Sequence, residues 1–277
     1  MKNISYRRYV ETFRIIEKRS EEYGYQLRHL LKTAEWLKNG FSILDIGAGT
    51  GLFAASFIKR SKRKAASYTA IEPSEDHVKA LRRNILKLKL DKDIIRGRFT
   101  PDTRNKRKFD LIIISHAVYW FASDIRGHLK NALRLLNENG KLVIYLQTFA
   151  TFACILNTFL RSRDPIYPHK ISSRDITRIL DRLEVPYSIS YLPGTLRADG
   201  LFRPGNKKLL DDLISFCLFT EAKDLNAEDL KFAEDLVRLL SYKTDKGVKL
   251  NLSVAAITVT KQKKAVDRVS ISERRRI

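Results

Sequence analysis

Carboxylates are in short supply in this chain: 31 Asp and Glu stand against 53 Lys and Arg in 277 residues, a formal net charge of +22. Such an excess favours anionic partners over basic ones. Cysteine is scarcer still. Cys154 and Cys217 are too few for a disulfide framework, and neither sits in a C-x-x-C metal pair, so a metal site is not expected. A reducing compartment suits that usage, and a cytoplasmic location is expected. No apolar run follows Lys2, Arg7 and Arg8, so a secretory signal is not expected either.

Long uncharged runs are absent with one exception, Leu142 to Leu160, which spans 19 residues between Lys141 and Arg161. That length would cross a bilayer. Gln147, Thr148, Thr151, Asn157 and Thr158 interrupt it, and it reads better as a buried strand, Leu142 to Leu146, followed by a helix or loop. With 44% hydrophobic residues beside 30% charged ones, the chain has the material for a packed core, which excludes global disorder.

Part of the basic excess is clustered: Lys59, Arg60, Lys62, Arg63 and Lys64; Arg104, Lys106, Arg107 and Lys108; and Arg274, Arg275 and Arg276. Patches of this kind hold phosphates. No aromatic is interleaved with them as a base-stacking surface would require, so nucleic acid is a possible partner but not the favoured one.

Apolar residues from Ser5 to Lys38 recur at helical spacing, which predicts a helical arm, and Asn39-Gly40 stops it. Strands are then predicted at Ile43 to Ile46, Tyr68 to Ile71, Ile94 to Gly97, Phe109 to Ser115 and Lys141 to Leu146. Helices alternate with them near Leu52 to Arg60, Ser74 to Leu90 and Ile125 to Asn137. Leu111 to Ile114 is apolar on both faces, as a strand covered by helices on both sides must be. The fold class is α/β, doubly wound. Further on, helices are predicted at Ser172 to Leu183, Lys207 to Phe219 and Ala227 to Tyr242, and strands near Tyr187 to Tyr191 and Leu252 to Thr260. The expected organisation is an arm covering the substrate (1–40), a cofactor-binding core (41–148), the rest of the sheet with a helical, substrate-covering insertion (149–260) and a basic tail (261–277).

The most informative segment is Ile43-Leu44-Asp45-Ile46-Gly47-Ala48-Gly49-Thr50-Gly51, where strand, glycine turn and helix follow one another as a nucleotide site needs. Leu52 stands where the dinucleotide pattern G-x-G-x-x-G wants glycine or alanine, which disfavours NAD. Glu72 ends the next strand in Ile71-Glu72-Pro73-Ser74, where its carboxylate can accept from both hydroxyls of a ribose. An adenosine ligand is implied.

On these residues the chain resembles the class I S-adenosylmethionine-dependent methyltransferases, with Leu44 to Gly51 as their first motif and Phe109 to His116 as their fourth strand. The resemblance implies a Rossmann-like, mostly parallel seven-stranded sheet. It also implies S-adenosylmethionine as cofactor, held by Asp45, Gly47, Gly49, Gly51, Glu72, Thr100, Ser115 and His116. Arg98 stands where many members carry an acid near the adenine, leaving Thr100, Asp102 and Thr103 as alternatives for that contact.

Outside the core, Tyr9-Val10-Glu11-Thr12-Phe13, His116-Ala117-Val118-Tyr119-Trp120 and Lys249-Leu250-Asn251-Leu252-Ser253 resemble the histamine N-methyltransferases. That similarity adds His77 to the cofactor contacts. It implies substrate ligands at Glu22 and Asn251 and aromatic walls from Tyr9, Phe13, Tyr119 and Trp120. On an unbroken helix Glu22 would point away from Tyr9 and Phe13; a second helix beginning near Ser20 would turn it inward. His116 replaces that family's glutamine and could orient an acceptor, act as base or bond the backbone. The expected activity is methyl transfer to a small amine or imidazole-like nitrogen. The basic clusters motivate a rival, an RNA- or protein-modifying methyltransferase; a cofactor-binding scaffold without catalysis is a third reading.

Overall fold

The computed structural model describes residues 4–105, 107–121, 124–164 and 169–261. Lys106 and the stretch 262–277, with Arg274, Arg275 and Arg276, lie outside the described residues. In chain order the elements are α1 (Tyr6–Arg19), α2 (Glu22–Thr33), β1 (Phe41–Ile46), α3 (Leu52–Arg60), β2 (Ala65–Glu72), α4 (Glu75–Ile85), β3 (Asp91–Arg96), β4 (Phe109–Ser115), α5 (Ile125–Arg134) and β5 (Leu136–Gln147). Then follow α6 (Phe152–Arg163), α7 (Ser173–Arg182), β6 (Tyr187–Leu192), β7 (Thr195–Arg197), α8 (Lys207–Leu218), α9 (Ala227–Leu239), β8 (Ser241–Thr244), β9 (Gly247–Asn251) and β10 (Val254–Thr260).

Seven strands form one sheet in the order β3-β2-β1-β4-β5-β10-β6. Neighbours from β3 to β5 pair in parallel, and β10 runs antiparallel between β5 and β6. This is the Rossmann-like methyltransferase architecture, and the doubly wound expectation holds. On one face Leu27, Leu30, Phe57 and Leu81 pack on Ile43, Tyr68 and Ile113; on the other, Leu129, Ala132, Ile176 and Leu180 pack on Leu44, Ile112 and Ile257. A separate apolar core joins α1, α6, α8 and α9, with Ile16, Leu156, Leu213 and Val237 at its centre.

The uncharged run Leu142 to Leu160 divides between β5, buried on both faces, and α6, buried against α8 and α9; no helix among the described residues is long and apolar enough to cross a membrane. The arm is broken. Ser20 is extended at φ −89°, ψ 146°, and bridges Leu196; the Glu21 N–H donates to the Thr195 carbonyl, and the Ser20 hydroxyl accepts from the Glu22 N–H. This pinning against β7 resets the helix phase, so that α2 buries Glu22 and Gln26 one turn apart.

The helix expected to reach Tyr242 stops at Leu239, because Ser241–Thr244 turns into a hairpin with Gly247–Asn251. With β7 these strands make a three-stranded sheet that the sequence reading missed. Each is five residues or shorter, and their charged positions show no alternation.

Candidate active site

The turn after β1 carries three positive-φ glycines, and they serve different ends. A Cβ on Gly47 would stand 2.4 Å from the Ala117 Cβ and one on Gly51 would stand 2.1 Å from Leu81 Cδ1, so these two allow β4 and α4 to close on the turn. A Cβ on Gly49 would meet nothing within 4 Å. That residue leaves the backbone open to an approaching ligand.

Glu72 is 2% exposed. Its Oε2 accepts from the Gly49 N–H at 2.9 Å, its Oε1 from the Ser74 N–H at 2.9 Å, and His77 Nδ1 lies 3.4 Å from Oε1. Burial pushes the carboxyl pKa up, but the His77 contact and the two backbone donors outweigh it and hold the group below the usual carboxylate range. A buried carboxylate thus stands beside the open glycine turn.

A cavity of about 760 Å³ extends from this turn, past Gly97, Arg98, Phe99 and Thr100, to the aromatic side chains of α1. At its other end sit Glu22, Gln26, Ser115 and His116. The Gln26 amide N–H₂ lies 2.8 Å from His116 Nε2, and its carbonyl accepts from the Ser115 hydroxyl at 3.3 Å. His116 Nδ1 is 3.5 Å from the Tyr119 hydroxyl. Burial, with Lys170 adding to it, lowers the His116 pKa to about 4, so the ring is neutral and its Nε2 accepts from Gln26. Glu22 Oε1 lies 3.6 Å from that same nitrogen, and burial raises the Glu22 pKa to about 8. The two groups are therefore neutral neighbours at pH 7, not an ion pair. Glu22 Oε2 is buried without a hydrogen-bond partner among the described residues.

A family model described as a methyltransferase domain matches residues 16–183, more than half of the chain. The chain belongs to the methyltransferase-domain family. No curated protein matches it, so the resemblance to histamine N-methyltransferases finds no support there. Among solved structures, the YcgJ protein from Bacillus subtilis aligns with a TM-score of 0.56 at 17% identity over 86% of this chain and 98% of that one. The plantazolicin methyltransferase BpumL, solved with S-adenosylhomocysteine, aligns with a TM-score of 0.52 at 15% identity over 92% of this chain and 90% of its own. The N-methyltransferase NodS from Bradyrhizobium japonicum, also solved with S-adenosylhomocysteine, gives 0.50 at 12% identity over 88% and 87%. At these identities the likeness is one of fold, the class I methyltransferase fold.

As a class I methyltransferase the protein uses S-adenosylmethionine, and the residues present fit it: an open turn at Gly49, a buried acid at Glu72 and a cavity joining the two. Of the other residues expected to hold the cofactor, His77, Thr100, Ser115 and His116 line the cavity. Asp45 does too, with its Oδ2 accepting from the Tyr68 hydroxyl at 2.8 Å and its pKa raised to about 7 by burial. Asp102 and Thr103 do not line it; the Thr103 hydroxyl is spent on the Thr100 N–H.

Of the expected substrate ligands, Glu22, Tyr9, Phe13 and Trp120 line the cavity. Two do not. Tyr119 stands behind the wall, its hydroxyl accepting from the Gln147 N–H at 2.8 Å and its ring stacked against His116. Asn251 is turned away, because its amide donates to the Ala150 carbonyl and accepts from the Ser253 N–H, bonds that fix the corner between β9 and β10.

Sequence reasoning missed Gln26, although its place four residues after Glu22 puts both on one helix face. It also missed Lys170, a buried ammonium 4.4 Å from the ring centre of Phe219, 4.8 Å from that of Phe216 and 5.7 Å from that of Tyr119. No local signal marks a lysine for such a cage, since its three rings come from the chain segment after β4 and from around the end of α8.

Proposed function

We propose that this methyltransferase acts on a small acceptor, a nitrogen of an amine or imidazole-like metabolite, taken into the aromatic end of the cavity. The observation that carries this reading is the buried Glu22 carboxyl, with Oε2 unpartnered among the described residues, facing a cavity continuous with the glycine turn. When bound, S-adenosylmethionine supplies a sulfonium methyl that needs no acid to activate it. Glu72 accepts from the ribose hydroxyls and Gly49 lets the backbone approach them. Tyr9, Phe13 and Trp120 exclude water and face a cation or a ring, while Gln26 and His116 orient the acceptor by hydrogen bonds. Segment 1–40 and the helices within 149–260 serve as the cover, and 41–148 as the cofactor core.

Glu22 is protonated at neutral pH. Pairing with an ammonium group requires it to lose that proton, so the affinity for a cationic acceptor rises about tenfold per pH unit up to about pH 8. The attacking nitrogen itself must be neutral, and the desolvated pocket lowers an amine pKa toward that state. A polymer substrate is the weaker reading, because the exposed cluster of Lys59, Arg60, Lys62, Arg63 and Lys64 lies at the opposite end of the sheet from the cavity.

The test is a split between two variants. Glu22→Gln should leave S-adenosylhomocysteine binding unchanged by calorimetry and cut methyl transfer to small molecules of a cell extract at least tenfold. Glu72→Ala should weaken S-adenosylhomocysteine binding about ten- to a hundredfold. Unchanged transfer in Glu22→Gln would refute the acceptor role.

A further inference from the structure

The charge excess has no role in the cavity, and the topology gathers much of it in one place. The parallel strands β3, β2, β1 and β4 end at the cavity, so the opposite edge collects strand starts, helix ends and, because β10 is antiparallel, the residue after β10. Hydrogen bonds record the convergence. The Gly40 N–H donates to the Lys64 carbonyl, the Lys64 N–H to Asn39 Oδ1 and the Asn139 N–H to the Lys261 carbonyl, and the Lys108 carbonyl lies 3.5 Å from the Ser42 hydroxyl.

Lys59 and Arg60 end α3 at this edge, and Lys62, Arg63 and Lys64 lead into β2; all five are exposed, and none makes an ion pair among the described residues. Lys108 lies close enough to Lys261 to lower its pKa, a further effect after burial. Of the nearby acids, Asp91 pairs with Arg107 at 3.0 Å, and Asp110 keeps its charge while accepting from Ser42 and Asn137. Glu35 and Glu138 remain.

We propose that this strand-start edge is a docking surface for duplex nucleic acid, bound through its phosphate backbone without reading sequence. From β3 to β10 the edge crosses six strands, about 24 Å at the usual strand spacing. A small anion would use two or three of these cations; a duplex, with one charge per about 1.7 Å, engages the whole strip. The basic clusters carry no interleaved aromatics on which single-stranded bases would stack. Their charges come from loop ends and helix termini, not from the amphipathic helix face that would seat on a membrane. Strands of six to eight residues put the surface roughly 20 Å from the cavity, so it tethers the enzyme and leaves the acceptor site open. This inference stands whether or not the acceptor is an amine.

Fluorescence anisotropy with a labelled 20-base-pair duplex of arbitrary sequence, from 50 to 300 mM salt, tests it on the full chain. The account predicts binding whose log affinity falls with log salt at a slope of about −4, since each phosphate neutralised contributes about −0.9. A variant with Lys59, Arg60, Lys62, Arg63 and Lys64 all changed to Gln should bind at least tenfold more weakly, with a slope shallower by two or more, while S-adenosylhomocysteine affinity, which reports folding, stays the same. No binding at 50 mM salt, equal binding by a folded variant, or binding to phosphatidylserine vesicles but not to the duplex would overturn the proposal. Should the five-residue variant fail to bind S-adenosylhomocysteine, Lys62→Gln with Lys64→Gln is the replacement, with an expected weakening of about threefold or more; an unchanged duplex affinity would likewise overturn the proposal.

Discussion

At the edge of the sheet where β1, β2 and β4 end, three buried groups are shifted toward neutrality, Glu22 up to about 8, Asp45 up to about 7 and His116 down to about 4, while Glu72 is held charged by His77 and two backbone donors. At the edge where the same strands begin, Lys59 to Lys64 are exposed and uncompensated. One set of strands thus separates a dry cavity, where a single charge carries a large energy, from a wet surface where many charges each carry little. The acceptor is therefore argued from the cavity, and net charge speaks for a second surface.

The largest effect expected from breaking this contrast is structural. Gly47→Ala puts a methyl 2.4 Å from the Ala117 Cβ at φ +72°, and overpacking with left-handed strain should cost about 2–5 kcal/mol, read by chemical denaturation. Gly49→Ala meets open space and should cost about 1–2 kcal/mol, but it should weaken S-adenosylhomocysteine binding more than it lowers stability. Next, Glu72→Ala should lower S-adenosylhomocysteine affinity about ten- to a hundredfold, the loss of charge-assisted bonds in a buried setting.

A third prediction concerns pH. Glu22 and Asp45 have raised pKa values in the folded protein, so the native state holds protons that the unfolded chain releases above about pH 4 to 4.5. Their contribution to stability is therefore intact below that range and is lost as pH rises toward about 8. Glu22→Gln should match the wild type in thermal midpoint near pH 4 and exceed it by several degrees at pH 8.5. The same pH dependence in both proteins would show that Glu22 titrates normally. The smallest effect belongs to the other edge: changing Lys62, Arg63 and Lys64 to Gln should alter stability by less than about 0.5 kcal/mol by denaturation.

What the sequence made legible is what lies close together along the chain. The glycine turn and Glu72 belong to one strand-turn-helix-strand unit, so their chemistry and their proximity could be read at once. Glu22 was suggested by the family resemblance, and its inward turn depends on the helix break at Ser20, whose cause, the docking on Leu196 of β7, comes from 176 residues away. Gln26 and Lys170 depend on which helix faces and which rings pack together, and Asn251 was misread because its role is to fix a corner. The strands of the small sheet are too short to declare a period. The basic clusters were plain in the sequence, but their gathering on the edge away from the cavity is a matter of topology.

The most direct test of the central claim is to incubate the full chain with methyl-labelled S-adenosylmethionine and total cell extract and to follow the label. The account predicts label in the acid-soluble small molecules, dependent on Glu22 and unaffected by the five-residue change at the basic edge. Label confined to nuclease- or protease-sensitive precipitate would contradict it.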